Sequence, residues 1–397
     1  MKTKTSQKKK LNFPIYRVLI GVAFYLFILT FIDSSQVPIT PQITIAEPLS
    51  FITIRNNNFY NNDNVFIPKG INHFDMYSLW DPNITNPSFD WITPNDFLTF
   101  KKAGFNSIRI AVKTDYFWDN ENNQLKESGF IWLDYINSLA LKNDLRLIID
   151  MHMPTGGAQQ DYNPNDQNKI FWENTDYKIT FINVWREIAK RNSNNSTIWA
   201  YDIMNEPATW DLTDYENLIF QTTAAIRSVD SNHIVIIQPG LQLQDGEVRL
   251  IFPKVYDSKI AHSLHFYEPH AFTHQNVSWG ISGDQAIINY PTTTSTNDYW
   301  NEQKISKAFT QAAYNAGLEH YPLILTEFGT VFHKIYTGQD QWIDDVIKSA
   351  NKLNTGWHYW YYKGPAYNEQ MAITTQNGLN RPIVWKVLKQ QAQNGHE

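Results

Sequence analysis

Eight short apolar runs alternate with longer segments of helical periodicity, and this alternation constrains the fold more than any other feature of the sequence. The runs are rich in β-branched side chains, as is typical of strands buried on both faces of a parallel sheet. The predicted strands are Val65–Asn72, Ser107–Val112, Leu145–Asp150, Ile198–Asn205, Ile234–Gln238, Ile260–Phe266, Leu323–Glu327 and Gly356–Trp360. Because strands that alternate with helices pair in parallel, the pattern predicts an α/β protein built as a (β/α)8 TIM barrel.

The segments between the strands are predicted to be helices. Their ranges are Pro94–Ala103, Phe130–Asn143, Tyr177–Lys190, Asp214–Val229, Trp300–Leu318, Gln339–Lys352 and Arg381–Gln390. The first helix has the clearest boundaries, because Thr93 can cap its N-terminus, Pro94 suits its first turn and Gly104 can end it. No G-x-G-x-x-G sequence follows any predicted strand, which argues against a nucleotide-binding, doubly wound sheet.

The first 50 residues differ in character from the rest of the chain. Five lysines among the first ten residues precede the apolar run Val18–Ile32. This pattern predicts a signal anchor over residues 1–32, or a signal peptide if it is cleaved, and places the following residues outside the cytoplasmic membrane. Residues 33–50 contain three prolines and are predicted to be a linker. Residues 51–397 show no second linker, so we expect them to form one domain. This domain would be anchored at the membrane facing outward or, if the signal is cleaved, secreted or periplasmic.

Composition excludes several classes of function. Acidic residues outnumber basic ones by 39 to 33, which argues against a nucleic-acid binder with a basic face. Cysteine is absent, so the chain has no disulfide, no cysteine nucleophile and no thiolate metal site. The 14 tryptophans exceed what a core of this size needs, and such flat rings suit stacking against sugars or bases.

Polar residues gather at the predicted strand ends, which in a TIM barrel form the active face. These ends read Asn72–His73, Asp150–Met151–His152, Asn205–Glu206–Pro207, His265–Phe266–Tyr267, Glu327–Phe328–Gly329 and Trp360. A single carboxylate of this kind is often only a helix cap, and this is the interpretation we favour for Asp150. Six of the eight strands ending in this way instead predicts a functional site at one mouth of the barrel.

The hypothesis about the reaction rests on two glutamates. Glu206 and Glu327 each end an apolar run, and an unpaired charge in such a place would be costly. Hydrolysis of an acetal needs two carboxyl groups, one to protonate the leaving oxygen and one to attack the anomeric carbon or activate water. Strands four and seven lie across the barrel mouth from each other, so a sugar would fit between the two side chains.

The chain resembles glycoside hydrolase family 5, a family of retaining (β/α)8 glycosidases, over most of residues 65–390. The resemblance rests on Asn205–Glu206–Pro207, on Thr326–Glu327–Phe328–Gly329 and on Arg109 in the second strand. It implies that Glu206 is the acid/base and Glu327 the nucleophile. The remaining residues that match the family's active site are Arg109, His152, Asn205, His265, Tyr267 and Trp360.

The resemblance also implies how these residues act. Asn205 would bind the sugar 2-hydroxyl and Trp360 would lie beneath the reacting sugar. Arg109 would pair with Glu327 and lower the pKa of that carboxyl, and Tyr267 would donate a hydrogen bond to it. The negative charge of the nucleophile would keep Glu206 protonated. No cofactor and no metal are expected, and the partner is a polysaccharide or oligosaccharide that a monomer would bind.

Several alternatives remain open from the sequence. The first choice of substrate is a β-1,4-glucan, with β-mannan, β-1,3-glucan and xyloglucan as the other substrates considered. The same two glutamates would also serve a transglycosylase, and a barrel without activity would be a sugar-binding protein. A metal-dependent hydrolase would use His262, His265, His270 and His274 together with Asp150–Met151–His152. It would normally begin with His-x-His on the first strand, where this chain has Asn72–His73.

Overall fold

Eight parallel strands close into a barrel. The structure, a computed structural model, describes residues 49–158, 170–209, 211–244, 247–275, 288–293, 298–331, 337–365 and 371–394. The barrel strands are Lys69–His73, Ser107–Lys113, Arg146–Met153, Ile198–Asp202, Ile234–Ile237, Ile260–His265, Leu323–Glu327 and Gly356–Tyr359. Each strand pairs in parallel with the next along the chain, and the eighth pairs with the first. The predicted (β/α)8 barrel is confirmed.

Helices connect the strands. They span Met76–Trp80, Pro94–Ala103, Glu127–Lys142, Ile170–Glu173, Thr175–Asn192, Leu212–Arg227, His270–Thr273, Glu302–Asn315, Gln339–Lys352 and Pro382–Gln393, with a 3-10 turn at Thr114–Tyr116. Each of the predicted helices is present within a few residues of its predicted ends. In the helix Thr175–Asn192, the apolar side chains that recur at helical spacing are buried in the main core.

The helix Pro94–Ala103 begins and ends where the sequence predicts. The Thr93 hydroxyl accepts a hydrogen bond from the Asp96 N–H, and the Asp96 carboxylate accepts one from the Thr93 N–H, which completes a capping box. Gly104 follows the helix with a φ of 92°, a left-handed conformation that costs glycine little. Local chemistry alone therefore determines both ends of this helix.

The first barrel strand is shorter than predicted. It begins at Lys69, whereas Val65 belongs to a separate antiparallel sheet of three short strands, Ile52–Arg55, Asn58–Asn61 and Asn64–Val65. Pro68 stands between the two sheets, and a proline has no N–H to continue a strand ladder. This three-stranded sheet is not among the elements predicted from the sequence.

The three-stranded sheet closes the end of the barrel at which the strands begin. Phe59 and Phe66 pack edge-on against Trp199, with ring centroids 5.1 and 5.5 Å away. These rings belong to one buried cluster with the apolar residues inside the barrel, such as Ile148 and Ile234. The opposite end of the barrel is left to the loops that follow the strands.

Shorter strand pairs lie in the loops outside the barrel. They are Trp118–Asp119 with Gln124–Leu125, Gly240–Gln244 with Glu247–Ile251, Thr292–Thr293 with Tyr299–Trp300, and Lys363–Gly364 with Thr374–Thr375 and Gly378–Leu379. Within the described residues, no helix has the length and apolar character that crossing a membrane requires. The predicted signal segment 1–32 and nearly all of the predicted linker 33–50 lie outside the described residues.

Candidate active site

The structure brings all eight candidate residues to the end of the barrel at which the strands finish. Arg109 lies within the second strand, and its side chain reaches the nucleophile candidate on the seventh. His152 lies near the end of the third strand, and Asn205 and Glu206 follow the fourth. His265 ends the sixth strand, Tyr267 follows it, Glu327 ends the seventh and Trp360 follows the eighth.

Glu206 and Glu327 face each other with His265 between them. His265 Nδ1 lies 2.7 Å from Glu206 Oε1 and 3.6 Å from Glu327 Oε2. A carboxylate oxygen of each glutamate and a nitrogen of the imidazole all lie within 4.8 Å of one another. Retaining glycosidases separate their two carboxyl groups by about 5–5.5 Å, and inverting enzymes by about 6.5–9.5 Å to admit a water. The close approach of these two carboxylates fits the retaining arrangement.

Two donors hold the Glu327 carboxylate in a fixed orientation. Arg109 Nη1 donates to its Oε1 at 2.9 Å, and the Tyr267 hydroxyl donates to its Oε2 at 2.9 Å. The Glu327 side chain is only 5% exposed, so these bonds replace most of the water that a carboxylate would otherwise bind. Both contacts are the ones that the resemblance implied.

Arg109 is fully buried and binds more acidic groups than the sequence analysis anticipated. Its Nε and Nη2 donate to Asp202 Oδ2 at 3.0 and 2.9 Å. Its Nη2 also lies 2.9 Å from Asp150 Oδ1 and donates to Asn205 Oδ1 at 2.8 Å. Burial raises the pKa of Asp150 to about 7 and that of Asp202 to about 6, against the opposing charge of Arg109.

The helix-cap interpretation of Asp150 is wrong. Asp150 lies inside the strand Arg146–Met153, and its Oδ2 accepts a hydrogen bond from His152 Nδ1 at 2.7 Å. Burial lowers the pKa of His152 to about 4, so the ring is neutral near pH 7. With its proton on Nδ1, His152 presents Nε2 as an acceptor, which lies 3.4 Å from Asn205 Nδ2.

Aromatic rings form a surface beside the two glutamates. Trp360 is half-buried and stacks on His152 at 5.1 Å with 10° between the ring planes, and on Phe74 at 5.0 Å. Trp80 meets the edge of His152 at 5.3 Å and is 42% exposed. Trp360 is among the residues predicted from the sequence, whereas Trp80, which lies on the five-residue helix Met76–Trp80, is not. Exposed aromatic faces of this kind suit the apolar faces of sugar rings.

The protonation of the two glutamates differs from the predicted pattern. Burial acts to raise the pKa of Glu206, but the hydrogen bond and charge of His265 lower it to about 2. Burial raises the pKa of Glu327 above 4.5, in spite of the charges of His265 and Arg109. The expectations that Glu206 is protonated and that the pKa of Glu327 is lowered are therefore wrong for this unliganded site. The bridging imidazole accounts for the low pKa of Glu206, whereas burial outweighs its opposing charge at Glu327. In turn the two carboxylates, Glu327 foremost, raise the pKa of His265 above 6.5 against its burial.

Three polar residues that the sequence analysis did not assign to the site complete it. Asn72 Oδ1 accepts a hydrogen bond from Arg109 Nη1 at 2.9 Å. Asp202 is the second acidic partner of that arginine, and Gln238 contacts both Asp202 and the Glu206 backbone. A charged residue within the apolar run IWAYDIM was the one available signal for Asp202.

Among the described residues, the histidines of the metal alternative do not form a single cluster of ligands. His262 Nδ1 lies 2.6 Å from the Ala316 carbonyl oxygen, and the His262 ring stacks between Phe252 and Tyr321. These contacts hold it away from the other candidate ligands. His270 and His274 stack on each other at 4.6 Å. In the described part of the chain, the one group with three potential metal ligands in reach is Glu206, His265 and Glu327.

Comparison with known proteins agrees with this geometry. A family model for cellulases, glycosyl hydrolase family 5, matches residues 63–364. Endoglucanase C of Acetivibrio thermocellus is 24% identical over 315 residues, which cover 73% of this chain and 90% of that protein. The β-xylosidase of Phanerodontia chrysosporium is 30% identical over 150 residues, which cover 37% of this chain and 32% of that protein.

Solved structures share the fold. The cellulose synthase subunit Z of Clostridioides difficile superposes with a TM-score of 0.63 at 21% identity, over 81% of this chain and 99% of that one. The endoglucanase Cel5A of Thermotoga maritima superposes with a TM-score of 0.60 at 19% identity, over 81% of this chain and 96% of that one. The family match spans most of the barrel and includes both glutamates. The chain therefore belongs to glycosyl hydrolase family 5 and is an O-glycosyl hydrolase.

Proposed function

We propose that the enzyme is an endo-β-1,4-glucanase that cleaves its substrate with retention by double displacement. The observation that carries this proposal is the close approach of Glu206 and Glu327, whose oxygens lie within 4.8 Å of each other. An inverting mechanism would need room for a water between the two carboxyl groups. Relatives named endoglucanases match most of this chain, which supports the endo mode and the substrate.

In the first step, Glu327 attacks the anomeric carbon and the bond to the leaving oxygen breaks. Glu206 gives its proton to that oxygen, and a glycosyl ester of Glu327 forms. In the second step, Glu206 takes a proton from water, the water oxygen attacks the anomeric carbon, and the carboxylate of Glu327 is released. Arg109 and Tyr267 hold the Glu327 oxygens during both steps.

The proton for the first step is held by the group of Glu206, His265 and Glu327 as a whole. In the unliganded site the proton prefers the imidazole to Glu206, because the pKa of Glu206 is lowered to about 2 and that of His265 is raised. The 2.7 Å bond from His265 Nδ1 to Glu206 Oε1 gives the proton a direct path to the acid. A sugar that displaces water from this site favours the neutral acid, because desolvation penalises the carboxylate.

The substrate proposal rests on the aromatic surface as well as on the relatives. Trp360 and the exposed Trp80 both contact His152, so the two indole rings lie close together beside the glutamates. β-Mannan is the second candidate, because structures of Thermotoga maritima Cel5A hold cellobiose in one case and mannotriose in another. β-1,3-Glucan, xyloglucan and transfer between sugars stay as further outcomes of the test.

The test is a panel of soluble polysaccharides with a reducing-sugar assay and chromatography of the products. Wild type should release short oligosaccharides from carboxymethylcellulose faster than from mannan, β-1,3-glucan or xyloglucan. Glu206→Gln and Glu327→Gln should each abolish this activity and leave the fold intact, whereas the exposed Glu319→Gln should match wild type. Activity in Glu327→Gln equal to wild type would refute the assignment. Faster cleavage of mannan would show that β-mannan, and not β-1,4-glucan, is the substrate. Products longer than the starting oligosaccharide would indicate transfer between sugars.

We also propose that residues 51–397 are one monomeric catalytic domain held at the outer face of the cytoplasmic membrane. The lysines and apolar run of residues 1–32 support a signal anchor. The linker 33–50 would reach about 60 Å when extended, so the barrel would act on nascent polymer or oligosaccharide near the membrane. Full-length protein should sediment with membranes and be released by detergent but not by salt. A free mature protein that begins near Ser35 would show a cleaved signal peptide instead.

A further inference from the structure

Gln238 follows the fifth barrel strand, and its side-chain amide contacts both the backbone of Glu206 and the carboxylate of Asp202. Its side chain is buried, with the residue 2% exposed. Its Oε1 accepts a hydrogen bond from the backbone N–H of Glu206 at 2.9 Å. Its Nε2 donates to both carboxylate oxygens of Asp202, at 3.1 and 3.0 Å. These partners fix the orientation of the amide, because the N–H needs an acceptor and the carboxylate needs a donor.

The backbone of Glu206 needs support at this position. Its φ is 42°, in the left-handed region that residues other than glycine rarely adopt. Such a conformation is energetically unfavourable and persists only where the surroundings hold it in place. The acceptor that Gln238 offers to the Glu206 N–H is a contact of this kind, and it lies directly at the strained residue.

Asp202 connects the same amide to the nucleophile. Arg109 donates to Asp202 from its Nε and to Glu327 from its Nη1. Gln238 therefore links the backbone of the acid/base to the guanidinium that holds the nucleophile, through two buried hydrogen-bonded contacts.

We infer that Gln238 is a positioning residue for the acid/base, an inference that rests on the role proposed for Glu206. It sets the direction of the Glu206 side chain toward the leaving oxygen and does not touch the substrate. A misplaced acid slows the departure of leaving groups that need a proton, by up to the 10²–10⁴-fold that general acid catalysis typically contributes. It has little effect on a leaving group that departs as a stable anion.

The experiment compares two substrates in Gln238→Met, which keeps the side-chain length and removes both polar atoms. We expect kcat/KM for cellotetraose to fall by about 10- to 100-fold, as for a weakened general acid. For 2,4-dinitrophenyl β-cellobioside, whose leaving group needs no proton, we expect a fall of less than about threefold. A merely structural role would lower both values together. Gln238→Asn keeps the amide but is too short to reach both partners. If Gln238→Met does not fold, Gln238→Asn should show the same difference between the two substrates, with a large fall in kcat/KM for cellotetraose and a small one for the aryl glycoside.

Two controls separate this inference from the function on which it rests. Tyr215 donates to the backbone carbonyl oxygen of Gln238 at 2.7 Å and does not touch the amide, so Tyr215→Phe should change both substrates equally. Glu206→Ala should show the largest difference between the two substrates in the fall of kcat/KM, and azide should restore turnover of the aryl glycoside. If Glu206→Ala lowers kcat/KM equally for the two substrates, the proposed function fails. If Glu206→Ala shows this difference, but both Gln238 variants lower kcat/KM for the two substrates equally or not at all, only the role of Gln238 fails.

Discussion

Arg109 is the residue on which the charge balance of the site depends. It is the one cation that bonds to three buried carboxylates, Asp150, Asp202 and Glu327, among the residues that the structure describes. The sequence indicates the pairing with Glu327 because Arg109 and Glu327 both belong to family motifs. It does not indicate the other two pairings, which depend on how neighbouring strands align around the barrel.

Removing the guanidinium should destabilise the fold strongly. Arg109→Met would remove the guanidinium that three buried carboxyl groups share, and we expect the free energy of unfolding to fall by about 3–5 kcal/mol. The loss should grow as the pH rises from about 5 to about 8, because the carboxyl groups in the folded variant would have raised pKa values and would ionise at a cost. Urea unfolding followed by tryptophan fluorescence measures this loss.

The control is a cation at the surface. Arg55 pairs with Asp63 at 3.5 Å, and both side chains are exposed. Because such pairs contribute about 0–1 kcal/mol, Arg55→Met should change the unfolding free energy little. Equal losses in the two variants, or a loss in Arg109→Met that shrinks as the pH rises, would contradict the assigned role.

The protonation of the glutamates predicts the pH profile of kcat/KM. Glu327 must be ionised to attack, so activity should fall on the acid side as the pH drops through its raised pKa, above 4.5. The proton shared by His265 and Glu206 must be present, so activity should fall on the alkaline side through the raised pKa of His265, above 6.5. Rates with a soluble oligosaccharide give the profile. An acid midpoint below 4.5 or an alkaline midpoint below 6.5 would count against it.

At the scale of elements, the sequence predicts local features better than distant ones. The helix Pro94–Ala103 is predicted correctly because Thr93, Asp96 and Gly104 act within the helix itself. The three-stranded sheet at residues 52–65 is missed because its strands are short and obtain their stability from Trp199, far along the chain. The contacts of Gln238 are missed for the same reason, since its partners are Asp202 at the end of the preceding strand and Glu206 in the loop that follows it.

The three-stranded sheet should contribute stability without affecting catalysis. Phe59→Ala would leave a cavity against Trp199, and we expect the unfolding free energy to fall by about 3–5 kcal/mol. Because this sheet lies at the opposite end of the barrel from Glu206 and Glu327, kcat/KM of the folded variant should equal that of wild type. Phe220 is 60% exposed, so Phe220→Ala is a matched control that should lose less than about 1 kcal/mol. A lower kcat/KM in folded Phe59→Ala would show that the two ends of the barrel are coupled.

At the scale of the whole molecule, the alternation of strands and helices is enough to predict the barrel, and the strand ends are enough to predict where its site lies. The relative positions inside the site are a different matter. The bridging position of His265 reverses the predicted protonation of Glu206, and no sequence spacing reveals a 2.7 Å contact between residues 59 positions apart. Burial, which raises the pKa of Glu327, is likewise invisible in the spacing. Residues 1–48 lie outside the described part of the chain, so the predicted signal anchor stays a prediction.

The central claim is that Glu327 forms a covalent glycosyl intermediate while Glu206 serves as the acid/base. It is tested most directly by trapping the enzyme with 2,4-dinitrophenyl 2-deoxy-2-fluoro-β-cellobioside, which forms the intermediate and slows its hydrolysis. Peptide mass spectrometry should then find one sugar label per chain, on Glu327. A label on Glu206 or on any other residue, or an active enzyme that turns over the reagent without accumulating a label, would contradict the account.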